Sequence, residues 1–299
     1  LHHTRPELQR RIADEGWGAR FLSCRNADGS WGRGVYQPKW TSSHYTLLDL
    51  KTIAIFTDYP LIRESIHQIA RDYKGPDGGI NPSRTIRESD VCINGMFLNY
   101  ACYFGEPQEC LKSVVDFVLD QQMQDGGFNC RKNRSGARHS SLHSTLSILE
   151  GIEEYSRNGY EYRIQDLEQT ASESREFILQ HRLFKSDHTG EVIHKELLKL
   201  SFPPRWKYNI LRALDYFRNA DVPWDERMRD ALRVILAKRR PDGRWPLQAA
   251  HPGETHFLME EPRKPSRWNT LLALRVLRAY GSPETLALRV PQCRLPHTD

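Results

Sequence analysis

Asp90 and Cys92 stand two residues apart at the head of the apolar run Ile93 to Phe104. His143 follows about one structural repeat later, again at the head of an apolar run. Carboxylate, thiolate and imidazole are donor types that zinc favours. Brought together from two neighbouring helix starts, Asp90, Cys92 and His143 would hold Zn2+ through three protein ligands and leave one position open. That is the pattern of catalytic rather than structural zinc. A helix N-terminus favours the Cys92 thiolate, and zinc deprotonates a coordinating thiol outright. In the open position a substrate thiol becomes a thiolate nucleophile, and a water becomes hydroxide near neutral pH. The same centre therefore serves thiol alkylation or hydrolysis. The plainer reading makes Asp90 an N-cap, Cys92 a core thiol and His143 a cavity-lining imidazole.

Further candidates surround these three. Arg84 and Arg87, just upstream, form an anion clamp or a solvated face pairing with Glu88. Asp187 and His188, with Glu191, supply a general acid or base, or belong to an Asp/Gly turn that has lost its pattern. His44 and Tyr45 join them as candidate catalytic groups. Trp40, Trp206, Tyr208 and Trp268, with Arg205 and Arg267, are candidates to line an apolar or cation-stabilising substrate pocket. The alternative for each aromatic is packing between helices. His251, His256 and Glu260 could form a second metal site.

What must position these residues is a repeat. Asp-Gly recurs at Asp28-Gly29, Asp77-Gly78 and Asp125-Gly126, almost evenly spaced, and again at Asp242-Gly243 after a gap close to two repeats. Within that gap lies the degenerate copy Asp187-His188-Thr189-Gly190. The chain therefore reads as five units. Each opens with an amphipathic helix: Glu7 to Arg25, Leu61 to Tyr73, Glu109 to Gln122, Ile164 to Leu183, Trp224 to Arg239. An Asp-Gly turn and a loop follow. A second helix, apolar around most of its circumference, closes each unit: Ser42 to Phe56, Asp90 to Phe104, Ser140 to Tyr155, Arg205 to Phe217, Ser266 to Tyr280. Helices apolar all round are buried. The expected architecture is all-α, an outer ring of amphipathic helices around an inner ring of apolar ones, with the inner N-termini facing a central cavity. No stretch has a useful strand period. The expectation is one domain over residues 1–281, with an insert around 181–204 serving as lid or substrate-facing segment, and an extended tail over 282–299.

Composition narrows the function classes. The chain is 38 % hydrophobic and 10 % aromatic, enough for a sizeable core. With 27 % charged residues and no apolar run near the roughly 20 residues of a spanning helix, no membrane span is expected. A net charge of +5 without a basic face interleaved with aromatics argues against nucleic acid as a partner. Six cysteines spread along a long chain do not make a disulfide framework, which fits a cytoplasmic protein. The first residues, Leu1 to Pro6, have no apolar signal-peptide core, and without a starting Met they suggest a processed or trimmed chain.

The turns Asn26-Ala27-Asp28-Gly29-Ser30-Trp31-Gly32, Gln124-Asp125-Gly126-Gly127-Phe128 and Pro241-Asp242-Gly243-Arg244-Trp245 resemble the repeat motifs of the α/α-toroid superfamily. That superfamily holds the squalene and terpenoid cyclases and the protein prenyltransferase β subunits. The resemblance implies an α/α toroid of about five hairpins, incomplete or closed as a six-fold ring. Class II cyclases use an Asp-x-Asp-Asp acid, and no such run occurs here. Asp90-Val91-Cys92 and His143 instead resemble the prenyltransferase β zinc pattern. Arg84 and Arg87 fall at the two basic offsets that this resemblance assigns to diphosphate. Ile93 stands where that family has Tyr, and His44 is offset by two places from its diphosphate-contacting His.

The reading at this level is a zinc-dependent enzyme with a central cavity. It transfers a prenyl or alkyl group to a metal-bound nucleophile on a small-molecule substrate, an isoprenoid or other apolar molecule with an anionic group. Alternatives are a zinc-water hydrolase or lyase, a non-catalytic isoprenoid or lipid carrier, and a scaffold for a protein partner. The expected state is a monomer or homodimer.

Overall fold

A computed structural model describes residues 5–83 and 85–281, apart from the side chains of residues 133 and 134. Arg84 and the 282–299 tail lie outside the described residues. The chain divides into two compact units. Unit 1 runs to Ile178 and adds Pro203–Lys207 and His251–Met259. Unit 2 comprises Leu179–Phe202, Tyr208–Ala250 and the chain from Glu260.

Unit 1 holds helices α1 (Pro6–Asp14), α2 (Gly16–Ser23), α3 (Ser43–Thr52), α4 (Pro60–Asp72), α5 (Val91–Tyr103), α6 (Gln108–Asp120), α7 (Lys132–Ser135), α8 (Leu142–Arg157) and most of α9 (Ile164–Gln180). The expected alternation is present. In α3 every residue from Ser43 to Leu50 is buried, and α5 and α8 are buried almost all round. By contrast, α4 and α6 bury one stripe each, Ile62, Ile66 and Ile69 in the first and Leu111, Val114, Val115 and Val118 in the second. The first amphipathic segment is two helices rather than one. Glu15 is extended and Gly16 takes a φ of 62°, which breaks the run.

The inner helices α5 and α8 meet at glycines. A Cβ on Gly95 would lie 2.5 Å from the Ser147 carbonyl oxygen, and one on Gly151 would lie 2.5 Å from that of Gly95. Only glycine permits so close an approach of two helix backbones.

Unit 2 carries α10 (Ile210–Asn219), α11 (Arg229–Ala237) and α12 (Arg267–Tyr280), with a two-residue antiparallel pairing of Trp245–Pro246 and Pro265–Ser266. α10 begins later than its apolar pattern suggests. Asn209 caps it, accepting the Leu211 and Arg212 N–H groups at 3.0 Å each. Arg205 and Trp206 therefore lie in a loop ahead of the helix, and Arg205 takes a φ of 55°. The degenerate turn is a real copy of the motif. Gly190 has a φ of 72°, and Lys185 bridges Val192 as Arg25 bridges Trp31 and Lys74 bridges Ile80.

The Asp-Gly motif works as a clamp. In each well-formed copy, a buried apolar residue lies two positions after the Gly or directly after Gly-Gly: Trp31, Ile80, Phe128, Trp245. Its backbone N–H donates to a side chain in the first turn or so of the following apolar helix: Ser43 Oγ (2.9 Å), Asn94 Oδ1 (2.6 Å), Thr145 Oγ1 (2.9 Å) and Thr270 Oγ1 (3.0 Å). In the second and third copies the turn aspartate also holds the serine ahead of that helix. Asp77 accepts from the N–H and hydroxyl of Ser89, and Asp125 accepts from those of Ser140. These two clamps set the entrances of α5 and α8.

Candidate active site

Both clamped entrances carry chemistry. Asp90 is the N-cap residue of α5 by position, yet its carboxylate makes no capping bond to the helix. Cys92 is the second residue of α5, where the backbone N–H has no intrahelical partner. That N–H donates to the Cys130 sulfur at 3.1 Å. Cys130 lies two residues beyond Phe128, so the Phe128–Thr145 bond fixes it beside the first turn of α8. There its N–H donates to Ser144 Oγ (3.2 Å), and the Ser144 hydroxyl donates back to the sulfur (3.4 Å). Cys130 thus sits between the N-termini of two buried helices.

The two thiols divide their proton unequally. Hydrogen bonds from the Cys92 thiol, from Ser144 and from the Cys92 N–H lower the Cys130 pKa, against burial. The Cys92 thiol is raised, first by its bond to Cys130, then by burial and by the negative charges of Cys130 and Asp90. The proton stays on Cys92 and leaves Cys130 first.

A loop between the first Asp-Gly turn and α3 supplies the surroundings. Tyr36 feels Cys92, Asp90 and Cys130 electrostatically, and burial is the main cause that raises its hydroxyl pKa. Its oxygen lies 3.3 Å from that of Tyr45. Lys39 is half-buried, which lowers its pKa, while Cys92, Asp90 and Cys130 favour its charged form. Its ammonium stands over the rings of Tyr36 (5.6 Å), Trp40 (5.4 Å) and Trp206 (5.1 Å). Trp206 also packs on His143, with ring centroids 5.3 Å apart. Asp90, Cys92, Cys130, His143, Tyr36, Lys39 and Trp206 all belong to unit 1.

The donor chemistry suits zinc. Cys92 lies at the α5 entrance and Cys130 beside the α8 entrance that carries His143, and the charges of Asp90 and Cys130 oppose ionisation of Cys92, a tension that a dication relieves. Among the described residues, no three of Asp90, Cys92, Cys130 and His143 bring their ligand atoms within 4.8 Å of one another.

No protein-family profile matches the chain, and no curated protein matches it. Among solved structures it is similar to type II terpene cyclase MstE from Scytonema. A ligand-free variant of that enzyme is 13 % identical over 80 % of both chains, with a TM-score of 0.36. A variant in complex with merosterolic acid A is 11 % identical over 80 % of this chain and 82 % of that one, at 0.34. A third, in complex with geranylgeranyl dihydroxybenzoate, is 12 % identical over 91 % and 95 %, at 0.35. Scores this low assign no chemistry, which has to come from this chain's own residues.

The remaining candidates are distributed as follows. His44 is fully buried, 3.2 Å from the Tyr100 hydroxyl, and burial drives its pKa down to about 3, so it is neutral near pH 7. Tyr45 packs edge-on to Trp40 and His44, its hydroxyl raised by burial. The Arg205 guanidinium lies 4.5 Å over Trp40 and 3.6 Å from the Asp49 carboxylate on α3. Burial lifts Asp49 to about 6, with Arg205 pulling the other way. Arg87 is exposed. His251 packs on Trp40, and His256 bonds Thr46 (2.9 Å) and lines a cavity of about 550 Å³ with Cys24, Arg33 and Glu254.

In unit 2, Glu260 accepts the Arg267 and Trp268 N–H groups at the start of α12, and Trp268 stacks on Phe202 at 4.9 Å. Tyr208 donates to the Leu183 carbonyl, 2.6 Å away. Asp187 and His188 lie in the degenerate turn, where the His188 side chain is 85 % exposed.

Cys130, Tyr36, Lys39 and Asp49 escaped the motif reading. Two signals were available: a cysteine two residues after the apolar residue of a turn motif, and an aspartate inside an otherwise apolar helix.

Proposed function

We propose that this protein is a zinc-dependent enzyme that transfers a prenyl or alkyl group to a small-molecule nucleophile, with Asp90, Cys92 and His143 holding the metal. The observation that carries the reading is the meeting of Cys92, Cys130 and Asp90 at the clamped entrances of α5 and α8. The motif resemblance supports the prenyl class. Bound zinc would supply Lewis acidity and lower the pKa of a thiol or water in its open position.

The chain's own groups complete the site. Lys39 carries a positive charge beside the thiols and would pair with an anionic group on the substrate. Tyr36, Trp40 and Trp206 give it an aromatic wall that suits an apolar chain or a developing cation. Arg87 remains a candidate for the anion only if its exposed loop closes on the substrate.

Cys130 favours a second reading. If it acts as a fourth donor, the shell of Asp90, Cys92, Cys130 and His143 is closed and the metal is structural.

Metal analysis of tag-free protein tests both. The transferase reading expects bound zinc in wild type, one equivalent less in Cys92→Ser, and the wild-type content in Cys130→Ser. It also expects quenching of tryptophan fluorescence by geranylgeranyl diphosphate that Lys39→Met weakens. Wild type without zinc, or Cys92→Ser with full zinc, overturns the metal site. Loss of zinc in Cys130→Ser selects the closed shell.

A further inference from the structure

The far end of α5 carries a second convergence of donors. His67 lies on α4, Glu106 in the connection from α5 to α6, and Cys110 in the first turn of α6. One ligand atom from each lies within 4.8 Å of the other two. His67 Nδ1 and Glu106 Oε1 are 2.9 Å apart. Glu106 is buried, its side chain 2 % exposed, whereas the imidazole is half exposed. The Cys110 thiol is only partly buried, and its pKa is raised by burial and by its hydrogen bond to Glu106.

A helix of 13 residues, about 20 Å long, separates this group from Cys92, so it is independent of the centre at the other end.

We infer that His67, Glu106 and Cys110 form a second site for a divalent transition metal, zinc in chemical class. A His–Glu ion pair needs no sulfur, yet Cys110 is placed within reach of both partners. One nitrogen, one oxygen and one sulfur donor suit zinc and exclude the all-oxygen preference of magnesium and calcium. The buried carboxylate gives a fixed anchor, and the exposed imidazole gives the ion a path from solvent. Around the group, Lys74 and Glu109 bear on Cys110 with opposite signs. The Tyr160 hydroxyl donates to the Glu106 carbonyl at 2.7 Å, which fixes the connection between the helices. With three protein donors the metal keeps an exchangeable position, so binding is expected to be reversible and weaker than at a closed site.

Cobalt(II) is the probe. In the Cys92→Ser/Cys130→Ser background, titration with cobalt should produce a thiolate-to-metal charge-transfer band. Cys110→Ser should abolish that band, and His67→Ala should weaken binding at least about tenfold, since losing one of three donors costs no less than losing an outer-shell partner of a ligand. A cobalt titration without the band, or one that Cys110→Ser leaves unchanged, overturns the site. Should the double variant fail to fold, wild type answers the question by peptide-resolved alkylation with iodoacetamide. Zinc should slow Cys110 modification at least about tenfold, an effect lost in His67→Ala. Equal rates with and without zinc overturn the proposal and leave the inner centre untouched, because Cys92 and Cys130 are read on separate peptides.

Discussion

A titrating group differs from its neighbours by what surrounds it, and Asp49 shows this within one helix. It faces Arg205 in the interior, and burial outweighs the ion pair, lifting its pKa to about 6. A carboxyl raised on folding contributes stability that is complete below its unfolded pKa near 4 and lost as pH rises through 6. Its size is about 3 kcal/mol. His44 and His251 act in the opposite sense. Burial lowers them to about 3 and about 4, so their contribution is complete above about 6.5 and lost as pH falls. Between pH 4 and 6.5 the aspartate therefore offsets part of the acid sensitivity of the histidines. Asp49→Asn should make the melting temperature fall more steeply between pH 6.5 and 4.5 than in wild type. A scan with the two slopes equal would remove Asp49 from this account.

At the scale of elements, the clamp between turn and inner helix explains how distant residues reach one site. Phe128 fills the core and its N–H is satisfied by Thr145, which leaves Cys130 against Ser144 and the head of α5. Thr145→Val keeps the shape and removes the acceptor. It should cost about 1–3 kcal/mol, the penalty of a buried unsatisfied N–H. It should also weaken zinc binding without touching a donor. Thr270→Val is the matched control in unit 2, where Thr270 accepts the Trp245 N–H. It should cost a similar amount in urea unfolding and leave zinc content unchanged. Equal zinc loss in both variants would separate the clamp from the site.

At the scale of the whole molecule, ligand binding and stability are linked. A metal that binds the folded chain at 100 times its dissociation constant adds about 2.7 kcal/mol. Chelation of the purified protein should therefore lower its melting temperature, and added zinc should restore it, while Cys92→Ser should respond less. A chelator-insensitive wild type would contradict a metal bound to the native state. The repeat that frames this centre was readable because Asp-Gly turns and two kinds of helix recur together. The hydrophobic pattern placed α4, α5, α6, α8 and α12 within a few residues of their observed limits. It missed the break at Glu15–Gly16, because apolar periodicity continues through a glycine that turns the chain. It also began α10 too early, because Asn209, rather than the pattern, sets that start.

Sequence by itself determined the all-α class, the alternation of amphipathic and buried helices in unit 1, and the candidacy of Asp90, Cys92 and His143 as donors, since these depend on local period and residue type; α12, expected to be apolar all round, instead buries a single stripe. Tertiary structure alone decided that Cys130 joins Cys92, that Lys39 and Tyr36 come near enough to feel the charge of the thiols, and that His67 meets Glu106 and Cys110. Each of those pairs is separated by tens of residues, and their distance is set by helix packing. The contact of Gly95 with Ser147 and the Phe128–Thr145 bond are examples. A residue's type states what it can do, and the packing of its helix states with which partner.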